Sequence, residues 1–306
     1  MVAVPYLRKR DDCGMSVILG VNHMFLYPES MTDEKVHTET LKEIIKTDLV
    51  DALDLWVWRG KERSKEEFAI IRDCGKWINY NIGDRFGEEP VFPSSKYEKD
   101  RTYAYDIFMR EIEYAVTCGA GKLVFGSGPD DVNDHKGALE RYSEFLIKLS
   151  SQIPKDMKIC LEPTDWDIDK HFLCGPLLES VELAKIMRKE GYENFGLLLD
   201  MSHIPIMHES LESAVDKCRD VLTHIHMGNA VIKNKQSPFY GDKHVPWSYP
   251  DSEYTEKDGV TFIKLLKEIG YTEQENATAS FEMRPYENMG AMQTLEKFVS
   301  VWQSAQ

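Results

Sequence analysis

The 306-residue chain lacks a basic surplus, a long apolar run and any paired cysteine spacing. Its 52 acidic residues outnumber 37 basic ones, and the resulting formal charge of −15 argues against a binder of the nucleic-acid backbone, which needs a basic face. No stretch approaches about 18 apolar residues, so no membrane span and no membrane partner are expected. The first residues, with Arg8-Lys9-Arg10-Asp11-Asp12, hold no apolar core of a signal peptide. Cys13, Cys74, Cys118, Cys160, Cys174 and Cys218 form no C-x-x-C pair, which points to reduced thiols in a cytoplasmic protein. Gly126-Ser127-Gly128 lacks the third glycine and the helix start of a phosphate loop, and no Ser/His/Asp or Cys/His order stands out.

What is present is a run of short apolar segments, each followed by a stretch of helical period. Ser16–Val21, Val50–Val57, Trp77–Ile82 and Gly121–Phe125 are the first four. Met157–Leu161, Phe195–Leu199, Val221–Ile225 and Ala277–Phe281 are the next four. Segments of this length read as buried parallel strands. Helices are expected from about Thr32, after a capping box Ser64-Lys65-Glu66-Glu67, and over 103–118, 134–151, 177–190, 210–219, 258–269 and 289–302. Eight strands alternating with eight helices, with no composition break, predict one domain over 1–306, a closed α/β barrel of the (β/α)₈ TIM type. The segments 83–99 and 229–257 exceed the usual connection. The latter, holding Tyr240-Gly241-Asp242-Lys243-His244, is expected to be a lid or binding loop.

The last four strands all end in residues that bind metals: Glu162, Asp200, His226 and Glu282. One acidic residue at a strand end is usually only solvated. Four at successive ends of a barrel, where strand C-termini share one mouth, form a set of hard oxygens plus one nitrogen suited to Mn²⁺, Mg²⁺, Co²⁺ or Zn²⁺. His203 follows Asp200 by three, as a helix cap or as an imidazole beside the metal. His244, with Asp242, is either an exposed loop residue or an acid/base delivered by the lid. His23 and Trp58 fall at strand ends, Asn229 just past the third metal position, and Arg284 two residues beyond Glu282, so these four are the candidate substrate contacts. Trp56, Trp58 and Trp166 also fall at strand ends, where packing is the commoner role and a sugar platform the alternative. Cys160 reads as core.

Glu162, Asp200 with His203, His226 and Glu282 match the metal tetrad and the Asp-x-x-His motif of the xylose isomerase-like TIM-barrel superfamily. The chain resembles that superfamily over nearly its whole length. Its members include sugar isomerases and epimerases, inosose dehydratase and type IV apurinic endonucleases. The resemblance implies a divalent metal, Mn²⁺ first, and, from the ketose 3-epimerases, Glu162 and Glu282 as the acid/base pair. Two departures stand against a simple epimerase: Ile232 occupies the place of an arginine, and the segment before Glu282 is longer.

Glu162-Pro163-Thr164-Asp165, Leu199 to Pro205, His226 to Asn229 and Tyr240 to His244 look like a narrower branch, the catalytic subunits of bacterial C-glycoside deglycosidases. That likeness implies a smaller β subunit as partner, a homo- or hetero-oligomer, and a glycoside substrate. The shared chemistry is removal of a proton beside a sugar carbonyl. Reprotonation then makes an isomerase or epimerase; expulsion of a β group makes a lyase, in which Glu162, Glu282, His203 and His244 are the catalytic candidates. An apurinic endonuclease would need a three-metal cluster with extra His and Asp ligands and a basic DNA face, against which the charge and the single tetrad both speak. A non-catalytic sugar-binding subunit is the remaining class.

Overall fold

A computed structural model describes residues 17–83 and 91–305. The N-terminal arm with Cys13, the start of the first strand at Ser16 and residues 84–90 of the segment 83–99 lie outside the described residues.

Eight parallel strands close into a barrel in sequence order, with β1 paired to β8. They are β1 (Ile18–Asn22), β2 (Ala52–Leu55), β3 (Trp77–Asn81) and β4 (Lys122–Phe125), then β5 (Lys158–Leu161), β6 (Phe195–Asp200), β7 (Leu222–Met227) and β8 (Thr278–Phe281). Both faces of such strands are covered, which explains their unbroken apolar runs. Outward residues pack under the helices in one continuous core, while Val124, Cys160 and Leu198 form a small apolar plug inside the barrel. The expected core place of Cys160 is therefore correct, and it is fully buried.

The helices are α1 (His23–Leu26), α2 (Glu34–Ile44), α3 (Lys61–Arg72), α4 (Glu98–Thr117) and α5 (His135–Ser150). They continue with α6 (Leu177–Lys189), α7 (His203–Ile206), α8 (Leu211–Cys218), α9 (Glu256–Glu268) and α10 (Ala291–Ser304). The single turns α1 and α7 are additions to the expected eight. The expected capping box at Ser64 is wrong: α3 begins three residues earlier, behind Gly60. Glu67 falls in the second turn of α3, where it accepts from the Thr38 hydroxyl (2.6 Å) and from the backbone N–H of Trp58 (2.7 Å). No helix among the described residues is long and apolar enough to cross a membrane.

Register places the strand ends. Asp200 on β6 pairs with His226 on β7, and His226 with Ser280 on β8, two residues before Glu282. A register shift between Leu197 and Leu198 sets that alignment.

Candidate metal centre

Because successive strands are neighbours, residues far apart in sequence meet. Glu162, Asp200, His226 and Glu282 are all buried, and one ligand-type atom of each lies within 4.8 Å of the others. His226 Nδ1 is 2.5 Å from Glu282 Oε2 and 3.5 Å from Glu162 Oε1. Asp200 is steadied by the backbone N–H (2.7 Å) and hydroxyl (2.6 Å) of Ser202. Only a glycine fits at 228, since a Cβ there would overlap the Asp200 carboxylate and Ser202.

Three carboxylates and one imidazole are a donor set for a divalent cation, and the orientation of the imidazole fits one. His226 Nε2 faces Asp54 Oδ1 at 2.8 Å, which leaves Nδ1 for the centre. Nδ1 of His226 and Oε2 of Glu282 are buried and make no hydrogen bond, although they face each other. Buried polar atoms are rarely left so, and a shared cation satisfies both.

Charge in the centre is finely divided. Burial pushes the Glu282 carboxyl up to about 7, against the pull of His226 and His244. Burial opposes protonation of His226, but the Glu282 and Asp54 carboxylates outweigh it and hold its pKa well above the ordinary value. Burial would raise Asp200; the imidazoles of His203, His244 and His226 bring it below the ordinary value instead.

A second group stands beside the first, so the tetrad is not the single set expected. His203 Nε2 lies 3.3 Å and His244 Nε2 2.9 Å from the two oxygens of Asp242. Each ring donates from Nδ1 to a carbonyl, His203 to Pro163 and His244 to Glu282, both at 2.9 Å. Both nitrogens of each ring thus face an oxygen, surroundings that favour a protonated imidazole. Burial disfavours that charge, but Asp242 overcomes it, raising His244 to about 9 and His203 well above the ordinary value. Asp200 is shared, 3.7 Å from His203 and 3.8 Å from His244. His203 is the first residue of α7, behind Ser202 at the cap position, so it is not the helix cap, and its ring is committed to this group.

The long loop reaches the centre by a clasp. Asp165 accepts the backbone N–H groups of Ile168, Asp169 and Lys170, each at 2.8 Å, and so shapes the turn after β5. From that turn Asp169 takes the Asp242 N–H (3.1 Å) and Lys243 (2.8 Å), and Lys170 reaches Asp242 at 3.5 Å. His244 is held in the left-handed region (φ 51°), a costly geometry for a non-glycine residue, with the Phe25 ring tilted against it at 4.0 Å between centres.

The four expected substrate contacts lie in different places. His23 is turned away: its ring is fully buried, Nε2 is 2.8 Å from the Thr40 hydroxyl, and His37 packs against its edge. Strand alternation is the reason, since the inward residue at the end of β1 is Asn22, whose amide donates to Glu282 Oε1 (2.7 Å). Trp58 stacks on Trp56 at 5.4 Å and packs against the core. Asn229 spends its amide on the loop, donating to Tyr254 O (2.8 Å) and accepting from Tyr254 N (3.0 Å) and Ala230 N (3.1 Å). Arg284 stands at the rim, its backbone N–H donating to His244 O (2.9 Å) and its guanidinium 5.5 Å from the Phe239 ring centre.

Sequence reading passed over Asn22 and Asp54. Asp54 joins His224 and His226 (2.8 Å each), Asn79 (2.9 Å) and the Ser280 hydroxyl. Its signal was an acid inside an apolar strand, a position that is costly unless partnered.

A model of the xylose isomerase-like TIM barrel matches residues 78–297. Among solved structures, a D-tagatose 3-epimerase-like protein is similar at 15% identity and a TM-score of 0.70, over 94% of this chain and 98% of that one. The 3-keto-D-glucoside 4-epimerase from E. coli is similar at 14% and 0.66, over 94% and 99%. A family 2 AP endonuclease from Brucella melitensis is also similar at 14% and 0.66, over 93% and 98%. No curated protein sequence is a significant match. At such identities the structural likeness speaks for the fold, while the family match spans β4 to β8 whole and all four clustered residues: the chain belongs to the xylose isomerase-like TIM-barrel family.

Proposed function

We propose that this protein is a divalent-metal-dependent sugar isomerase or epimerase that removes a proton from the carbon next to a carbonyl. The observation that carries the reading is the buried convergence of Glu162, Asp200, His226 and Glu282 on one point. Sugar epimerases among the structures of the same fold, at 14–15% identity, agree with it.

A carbon-bound proton beside a carbonyl is too weakly acidic for a carboxylate in water. A cation held by the four side chains, Mn²⁺ first, supplies Lewis-acid stabilisation of the oxygens on which charge develops. Glu282, buried among the four side chains with one oxygen turned to the centre, is the carboxylate that takes and returns the proton. Asn22 fixes Oε1 of that carboxylate and leaves Oε2 toward the centre. Glu162 is the opposite member of the pair, returning the proton to the other face or the adjacent carbon. Burial of the whole group excludes water from the enediolate.

A second reading rests on the loop that clasps His244 beside Glu282. In a lyase of the C-glycoside deglycosidase type, a base takes the C2 proton of a 3-keto C-glucoside. The C1–aryl bond then breaks as the aryl carbon receives a proton from His244, leaving an unsaturated keto sugar and the free arene. A smaller β subunit belongs to this reading as partner.

The test is metal-stripped protein given Mn²⁺ and a panel of free ketoses and 3-keto C-glucosides, with and without a candidate β subunit. Interconversion of free ketoses by the chain alone supports the first reading. Arene release, lost in His244→Ala with Mn²⁺ uptake intact, establishes the second. Absence of any Mn²⁺-dependent exchange of carbon-bound hydrogen with deuterated solvent refutes both.

A further inference from the structure

Arg284 differs from the other described arginines. Each of those donates to a carboxylate or to a backbone carbonyl. Among the described residues Arg284 has no hydrogen-bond or ion-pair partner for its guanidinium, and its Nε is buried. In a chain with 52 acidic residues this is not for want of carboxylates.

The side chain is nevertheless held in place. It follows Glu282 by two residues, its backbone is tied to His244 O at 2.9 Å, and its guanidinium lies over Phe239 from the long loop. Phe239 is itself wedged against Tyr249, and Tyr249 against Tyr286. A half-buried, stacked and unpaired guanidinium is pre-organised for a planar or tetrahedral oxyanion, which it meets with two parallel N–H donors. Leaving it unpaired costs desolvation that an incoming anion recovers.

Resting on the sugar-enzyme reading above, we propose that Arg284 makes this site selective for anionic sugars, binding a phosphate or carboxylate on the part of the substrate remote from the carbonyl. Phosphate and carboxylate share the oxyanion that the guanidinium recognises, and different probes separate them.

The experiment is calorimetric binding to the Mn²⁺-loaded protein of D-fructose, D-fructose 6-phosphate and D-fructuronate, for wild type, Arg284→Gln and Arg284→Lys. One or both anionic probes should bind about 10- to 100-fold more tightly than D-fructose. That preference should vanish in Arg284→Gln and return in part in Arg284→Lys, with Mn²⁺ uptake unchanged. Equal affinity of wild type for all three probes, or a preference that survives in Arg284→Gln, overturns the proposal. Binding is read without turnover, so these outcomes are independent of whether the reaction class assigned above is correct.

Discussion

Strands β5 to β8 and strands β1 to β4 face the same cavity with different chemistry. The later half delivers Glu162, Asp200, His226 and Glu282, side chains with ligand-type atoms turned to one point. The earlier half delivers Asn22, Asp54, Asn79 and Lys122, each spent on another protein group. Asn22 holds Glu282, Asp54 holds His224 and His226, and Asn79 holds Asp54. Lys122 reaches across the barrel to Thr223 O and the Thr278 hydroxyl, both at 2.6 Å. One half grips and the other orients. The arrangement resembles a metal site in which outer partners fix ring orientation and tautomer.

That division can be broken at the gripping half with the largest effect. On the proposed reading, Glu282→Gln removes a ligand and an acid/base carboxylate together. Turnover should fall by about 10⁴-fold or more, and Mn²⁺ uptake by the metal-stripped protein, followed by calorimetry, should be lost. Uptake within tenfold of wild type would place the cation elsewhere.

A smaller effect is expected at the orienting half. In Asp54→Asn an amide N–H can face His226 Nε2, which sends the ring proton to Nδ1 and blocks the atom aimed at the centre. Mn²⁺ affinity should weaken roughly 10- to 100-fold with the melting transition still cooperative. An unchanged affinity would make Asp54 a folding residue alone.

The smallest effect on the site, though not on the fold, is expected at Lys122. Burial pulls its pKa down to about 8, whereas the unfolded chain keeps the proton to about 10.5. Between these values the unfolded state binds more protons, so stability rises with pH across that window. Relative to Lys122→Met, wild type should gain up to about 3 kcal/mol from pH 8 to pH 10.5 in urea denaturation. Mn²⁺ affinity should be unaffected, because Lys122 is tied to groups below the centre.

Legibility followed the same line between the halves. The gripping residues end apolar runs, so a reader of strands arrives at Glu162, Asp200 and Glu282 directly, and His226 follows from β7. The orienting residues are single polar side chains in strand interiors, where an acid such as Asp54 signals a buried partner without saying which one. His23 was misplaced for a related reason: a strand end is visible in sequence, but which of two adjacent residues faces inward depends on phase, and Asn22 took that position. The Asp242-Lys243-His244 segment was visible as a loop motif. Its clasp to Asp169 and Lys170, 73 residues away between Asp242 and Asp169, was not.

By itself the sequence determined the eight-fold alternation, the parallel barrel and the four residues at its last strand ends, because period and strand length are local properties. Tertiary structure alone decided that Asp54 turns His226 toward the centre, that His203 and His244 share Asp242, that Asn229 serves the loop, and that Arg284 is left without an anion. Those outcomes depend on barrel closure and on the register between strands, which bring together groups up to 260 residues apart, as Asn22 and Glu282 are. Hydrogen bonds and ion pairs form by distance in space, and no periodicity along the chain encodes it.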